Sequence, residues 1–334
     1  MKASEVYSAL EHFTAQKIPV FIWGAPGIGK SSIVKKIAKE KGLEFIDLRL
    51  SLLDPTDLKG IPFFDSERRE GVWAKPAFLP KDRDSKGILF LDEINTAAPS
   101  VQASAYQLVL DRRVGEYELP DGWSIVAAGN RENDRGVVYR MPPPLANRFV
   151  HLEMEVDFDD WKSWAYESGV DPLIIAFLSY APKRLFMFDP KKADKSFPTP
   201  RSWEYVDKIL KSSIPENLLL ESISGAVGRE SAVEFLSFRQ IAKKLPDLKK
   251  ILDGEIKECK QKDHKVLFAV VLGLVNLLKI DGDRKRVDNV LNFSMNLPSE
   301  FAVMLVKDMQ KNGIDIESSS VWDRWVAKFS YLLE

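Results

Sequence analysis

Nine consecutive residues, Gly24-Ala25-Pro26-Gly27-Ile28-Gly29-Lys30-Ser31-Ser32, have the makings of a phosphate cradle. The first eight fit G-x-x-x-x-G-K-[ST] without deviation, between an apolar run and a helix-forming segment. The glycines let backbone N–H groups turn inward around phosphates, and the helix that follows adds the positive end of its dipole. Lys30 would reach the β- and γ-phosphates of ATP, and the Ser31 hydroxyl would ligate Mg²⁺. An accidental glycine-rich turn would have no reason to carry both flanking elements.

The second chemical element is Ile88-Leu89-Phe90-Leu91-Asp92-Glu93, an apolar run ending in two carboxylates. At the carboxyl edge of a parallel sheet, Asp92 would hold Mg²⁺ through water, and Glu93 would orient or deprotonate the attacking water. Such a pair alone is common as a helix cap; beside a phosphate loop it reads as hydrolytic. Ile125-Val126-Ala127-Ala128-Gly129-Asn130 ends another strand in a carboxamide that would position water. Leu145-Ala146-Asn147-Arg148-Phe149 sets an arginine just ahead of a further strand, with Arg131, Arg135 and Arg140 as alternatives for an arginine that crosses to a neighbour. Thr199-Pro200-Arg201-Ser202-Trp203 puts Arg201 in the first turn of a helix, either as a nucleotide contact or as a salt-bridge anchor for that helix.

Placing these groups together takes a sheet buried on both faces. Apolar runs at 18–23, 43–48, 87–91, 123–128 and 148–156 read as its strands. Residues 1–17 read as a helix with Val6, Leu10 and Phe13 on one face, and 30–41 as a helix stopped by Gly42. Strands with helical segments between them predict an α/β domain with a parallel sheet. Two stretches depart from that repeat. Ile61–Phe64 with Val72-Trp73 forms a hairpin with a charged tip, and Arg113–Tyr117 with Trp123–Val126 forms a second through Leu119-Pro120-Asp121-Gly122. They are surface loops of an enlarged domain or contacts for another molecule.

From Asp157 the strand signal fades. Segments 159–167, 171–180, 202–212, 216–227, 229–244 and 265–280 look helical, and the proline- and lysine-rich stretch 182–200 reads as an ordered linker. The expected division is an α/β nucleotide-binding domain over 1–156 and a helical region over 157–334. Trp161, Trp164, Trp322 and Trp325, at helical spacing, read as core; His12, His151 and His264 receive no role.

A chain of 334 residues suits about two domains, each with its own core. Lys+Arg 48 against Asp+Glu 49 leaves a net charge of -1, which gives no global attraction to nucleic acid or an anionic membrane. Hydrophobic residues at 45% and charged residues at 29% exclude wholesale disorder and fibrous architecture. Cys259 is the sole cysteine, so neither an intramolecular disulfide nor a multi-cysteine metal site can form. The polar start Met1–Val6 is no secretion signal, and the apolar stretch 266–280, broken by Asn276 and Lys279, is too short for a bilayer. The expectation is a soluble, cytoplasmic protein.

With Gly24–Ser31, Leu91-Asp92-Glu93, Gly129-Asn130, Asn147-Arg148-Phe149 and Pro200-Arg201 in one chain, the sequence resembles an AAA+ ATPase. The segments Leu48–Gly60 and Asp111–Tyr117 make it most similar to the MoxR-like branch. The resemblance covers roughly residues 15–210 and weakens toward the C-terminus. It implies a P-loop AAA+ core with 61–73 as an insert in the second helix, a hairpin within 113–126, and a C-terminal all-α lid. It also implies Asn130 as sensor 1, Arg148 as the arginine finger and Arg201 as sensor 2. ATP and Mg²⁺ follow as cofactors, and so does a homo-oligomer, a hexameric ring with ATP at subunit interfaces. The implied task is remodelling or activation of a protein client, often beside a partner with a von Willebrand factor A domain. A nucleic-acid motor of related architecture is disfavoured by the charge balance. A nucleotide-switched scaffold is disfavoured by intact Glu93, Asn130 and Arg148.

Overall fold

The computed structural model of the chain describes residues 1–67, 69–131, 134, 139, 141–192, 194–242, 245–260 and 263–329. They fall into two compact units, one spanning 1–157 with a short segment from Asp189, the other 158–188 and the residues from Asp194 onward.

The first unit begins with α1 (Ala3–Ala15), β1 (Val20–Trp23), α2 (Lys30–Glu40), β2 (Glu44–Arg49) and a 3-10 turn at Leu50–Leu52. It continues through α3 (Pro55–Lys59), β3 (Ile61–Asp65), β4 (Glu70–Ala74), β5 (Gly87–Asp92) and α4 (Pro99–Asp111). It closes with β6 (Arg113–Val114), β7 (Tyr117–Glu118), β8 (Trp123–Gly129), α5 (Pro143–Ala146) and β9 (Val150–Glu153). Five strands make one sheet in the order β2-β5-β8-β1-β9, every pair parallel. All of β8, and β5 up to Leu91, is buried, as continuous apolar runs in a two-sided sheet require. Alternation sends Phe21, Leu89, Leu91, Ile125 and Ala127 into one core with Val101, Ala105 and Leu108 of α4. Val20, Ile22, Ile88, Phe90, Val126 and Ala128 are equally buried on the other face, where α1 and α2 pack against the sheet.

β3 and β4 pair antiparallel as a ribbon separate from that sheet, with Ile61, Phe63 and Phe64 exposed. The second expected hairpin needs correction. Arg113-Val114 pairs with Tyr117-Glu118 across a two-residue turn whose Gly115 holds φ +56°, the left-handed value tight hairpins demand. Trp123–Val126 cannot be its return strand, because β8 already has β5 on one side and β1 on the other.

The second unit is helical: α6 (Phe158–Glu167), α7 (Pro172–Tyr180), α8 (Pro200–Lys211), α9 (Glu216–Val227) and α10 (Arg229–Ala242) come first. Then follow α11 (Leu248–Leu252), α12 (His264–Asp281), α13 (Arg284–Ser294), α14 (Ser299–Lys311) and α15 (Trp322–Phe329). The apolar α12 packs against α7, α10 and α14, the setting expected of a helix hydrophobic on most sides. Among the described residues no helix is long and apolar enough to cross a membrane. Trp161 and Trp325 are buried; Trp164 and Trp322 are half-buried.

Lys162 and Asp308 form a buried charged pair in this unit. The Lys162 ammonium donates to both Asp308 oxygens, at 2.8 and 2.7 Å, with both side chains under a tenth exposed. Burial pushes the Asp308 carboxyl above the usual carboxylate range, and the Lys162 charge opposes that shift. Removing one partner of such a pair strands a buried charge. Lys162→Met should therefore destabilise the helical unit by about 3–5 kcal/mol at neutral pH, and adding Asp308→Leu should recover most of the loss. Asp308 holds its proton more tightly folded than unfolded, so the single-variant deficit should shrink as pH falls through the carboxylate range. Denaturant unfolding of the full chain at neutral and mildly acidic pH measures both effects.

Candidate nucleotide site

Register brings the carboxyl ends of β1, β8 and β5 to one edge of the sheet: Trp23 pairs with Gly129, and Ala127 with Leu91. The chain leaves β1 into the glycine loop 24–29, β8 into Asn130 and β5 into Asp92-Glu93. Gly29 precedes α2 with φ +97°, a conformation that strains any residue bearing a Cβ. Lys30, Ser31 and Ser32 form the first turn of α2, where backbone N–H groups lack helical acceptors. Ser32 is exposed.

Lys30 ties the loop together. Its ammonium donates to the carbonyls of Gly24 and Ala25, at 2.7 and 3.0 Å, and to Asn130 Oδ1 at 3.2 Å. These neutral acceptors can be exchanged for phosphate oxygens, which carry full charge and bind an ammonium more strongly. The structure thus brings together the glycine loop, Lys30 and Asn130.

Asp92 is half-buried, and desolvation pushes its carboxyl above the usual range; Lys30 opposes the shift and Glu93 adds to it. The Glu93 N–H donates to Asp92 Oδ1 at 3.0 Å. Glu93 itself holds φ +57°, uncommon for a residue with a side chain and a mark of local strain. Its carboxylate accepts a hydrogen bond from the Ser51 hydroxyl, just beyond the end of β2. Among the described residues no three or more His, Cys, Asp or Glu side chains form a metal cluster. The Ser31 hydroxyl and the desolvated Asp92 carboxylate nevertheless fit Mg²⁺, which keeps several waters and completes its shell with phosphate oxygens.

Two residues of the site had drawn no attention in the sequence, Ser51 and Asn95. Ser51 could have been found from pairing, since Arg49 lies opposite Asp92 and the chain beyond β2 must pass Glu93. Asn95 Nδ2 donates to the Asn130 carbonyl at 2.7 Å; its signal was a polar residue in Asp92-Glu93-Ile94-Asn95, where the following turn is buried.

The arginines separate. Arg131 is engaged within its own chain: its N–H donates to Asp134 Oδ2 at 3.0 Å, and Nη2 donates to the Met154 carbonyl at 3.1 Å. Arg135 and Arg140 lie outside the described residues. Arg148 is exposed between α5 and β9, and its guanidinium has no hydrogen bond or ion pair among the described residues. Arg201, in the first turn of α8, belongs to the other unit. It is exposed and forms no ion pair among the described residues; its charge acts on Glu204, whose carboxyl burial pushes up.

Residues 19–151 match the model of a family described as ATPase family associated with various cellular activities (AAA). A midasin from Giardia intestinalis is 29% identical over 146 residues, 41% of this chain and 3% of that protein. A Lon protease from Fervidobacterium nodosum is 31% identical over 173 residues, 47% of this chain and 20% of that protein. The chain thus spans a small part of the length of the curated relatives it matches. Among solved structures, the RuvB Holliday junction branch migration motor of Thermotoga maritima is 15% identical with a TM-score of 0.37, covering 98% of this chain and 86% of that one. NtrX from Brucella abortus, in complex with ADP, is 12% identical with a TM-score of 0.40, covering 98% of this chain and 68% of that one. Phosphate loop and parallel sheet between helices give the part of the chain that matches this model a P-loop α/β fold, and a helical C-terminal region follows it.

Because Asp92 holds its proton more tightly folded than unfolded, its ionised form opposes folding near neutral pH. Asp92→Asn should raise the thermal midpoint of the nucleotide-free protein by roughly 2–4 °C near neutral pH. The gain should vanish in acid, where Asp92 is protonated. The same variant should lose most of the extra stabilisation that MgATP confers on the parent. Thermal melts with and without MgATP read both, and a nucleotide-free midpoint below the parent's would reject desolvation as the cause.

Proposed function

We propose that this chain is a Mg²⁺-dependent AAA+ ATPase of the MoxR-like branch, whose turnover in a hexameric homo-oligomeric ring remodels or activates a protein client. The observation that carries the chemistry is the meeting of the glycine loop, Lys30, Asn130 and the Asp92-Glu93 turn at one sheet edge. In this reading Lys30 exchanges the Gly24 and Ala25 carbonyls for the β- and γ-phosphates of ATP. Ser31 and Asp92 would hold Mg²⁺, which would supply positive charge against the phosphate oxygens. Glu93, on leaving Ser51, orients and deprotonates the attacking water, and the Asn130 carboxamide fixes that water against the γ-phosphate. Arg148, exposed and without a side-chain partner among the described residues, supplies the guanidinium of a neighbouring subunit's site. Arg201 is assigned to sensor 2 from Thr199-Pro200-Arg201, with 157–334 as lid and extension of the 1–156 core. A von Willebrand factor A domain partner and a cytoplasmic setting belong to the same reading.

The hydrolytic step is tested on Glu93. Glu93→Gln keeps the size of the side chain and removes only the basic carboxylate. It should bind MgATP about as well as the parent and turn over at least ~100-fold more slowly. Unchanged turnover would take Glu93 out of the mechanism, and DNA-stimulated, salt-sensitive turnover in the parent would favour a nucleic-acid motor instead.

The shared site is tested by mixing. Arg148→Ala should lose most ATPase activity, since a finger of this kind contributes ~10³–10⁵ in rate, while each subunit keeps its nucleotide affinity. Lys30→Ala should fail to bind nucleotide tightly. Where a Lys30→Ala subunit lends Arg148 to an Arg148→Ala neighbour, one complete site is rebuilt. Partial recovery of activity on mixing is the expected result; none, in mixed rings shown to form, would count against Arg148 acting in trans.

A further inference from the structure

We infer that Asn95 is a positioning residue for ATP hydrolysis, holding the Asn130 strand end so that its carboxamide faces the γ-phosphate. The inference rests on the proposed role of Asn130. Asn95 is 1% exposed, in the turn after β5. Its Nδ2 donates to the Asn130 carbonyl at 2.7 Å, and its own carbonyl accepts from the Tyr139 N–H at 2.7 Å. Through these bonds the turn bearing Asp92 and Glu93 is joined to the segment that follows β8. Asn130 in turn accepts from Lys30 through Oδ1 at 3.2 Å. A path of short contacts therefore runs from the carboxylate turn, through Asn95 and Asn130, to the phosphate-binding lysine.

The packing leaves Asn95 little freedom. A Cβ at position 129 would stand 2.3 Å from Asn95 Oδ1, so the carboxamide lies directly on the Gly129 backbone. Any larger residue at 129 would push Asn95 off the Asn130 carbonyl. The Asn95 Oδ1 atom is buried and has no hydrogen-bond partner among the described residues. An unsatisfied buried acceptor costs stability, so packing alone does not account for a carboxamide here. The polar side chain is explained by its donor, and the donor's partner is Asn130. Asn95 touches neither substrate nor metal in this account; it acts through Asn130.

The test uses the full chain, with steady-state ATPase kinetics, nucleotide affinity and thermal midpoint measured on each variant. Asn95→Leu removes the donor together with the unsatisfied oxygen, and Asn95→Ala removes both without adding bulk against Gly129. Each should lower kcat about 10- to 100-fold, the scale expected when a reacting group is misplaced by an ångström or less. ATP affinity should stay close to the parent's, and the melting midpoint should not fall in step with kcat. Combined with Asn130→Ala, neither substitution should slow turnover further, because the group it positions is gone. Parental kcat in both Asn95 variants would overturn the inference. So would a joint loss of affinity and folding in both, which would make Asn95 a structural residue. Parental kcat in Asn130→Ala alone would instead sink the role of Asn130, a failure distinguishable from that of Asn95.

Discussion

Three strands have to end together, and the rest of the nucleotide site depends on it. β1, β8 and β5 are neighbours in a sheet buried on both faces, so slipping one pairing by a single residue would turn a whole strand's side chains to the wrong layer. Val20 opposite Val126 and Leu89 opposite Ile125 fix the register through core packing alone. Once fixed, the residues just past each strand cannot separate. Lys30 and Asn130, 100 positions apart, are within hydrogen-bond reach for that reason. Apolar packing does the positioning, and the polar groups ride on it.

That framework also tolerates features that would weaken an ordinary loop. Within a few residues stand a desolvated carboxyl at Asp92, a left-handed glutamate at Glu93 and a buried unsatisfied oxygen on Asn95. Each lowers stability on its own. Their concentration at one strand end, against buried and regular β5 and β8, is the pattern of a site shaped for a ligand rather than for the empty fold. Lys30 resting on two carbonyls belongs to the same pattern, since those carbonyls are neutral and a phosphate would be a stronger acceptor.

The parts of this arrangement that were legible in the sequence were those with a local signature. Gly24–Ser31 announces itself through spacing, and Ile88–Glu93 through an apolar run that stops at acids. Contacts that depend on which strands are neighbours were not legible. Ser51 meets Glu93 because β2 lies beside β5 in the sheet, although β5 follows it in sequence only after the β3–β4 ribbon. The misassigned hairpin has the same origin: Trp123 has the apolar character of either a hairpin strand or a central strand, and long-range pairing with Gly87 decides it. In the helical unit, α11, α13 and α14 lie outside the segments that read as helical, and Lys162 meets Asp308 across 146 positions. No local pattern encodes such a meeting.

Arg131, just past the carboxyl end of β8, and Arg148, just ahead of β9 at the opposite end of the parallel sheet, illustrate how burial divides labour between like residues. Arg131 follows Asn130 directly, yet its guanidinium is turned back onto the Met154 carbonyl and lies 3.7 Å from Glu155. Met154 is bonded in turn to the Trp23 carbonyl, so Arg131 braces the end of β1 where the glycine loop begins. Moving Arg131 outward would unmake that brace and expose a carbonyl that has found its donor. Arg148 has no such engagement. It stands exposed on a turn anchored by the Arg148 N–H to Leu145 carbonyl bond, between the buried side chains of Leu145 and Phe149. A guanidinium on a turn anchored by buried flanking residues loses less conformational freedom when it meets an anion than one on an unanchored loop would. Of these two residues, only Arg148 can reach another molecule without dismantling its own site, and the proposed sharing of sites between subunits uses the residue that the fold leaves available.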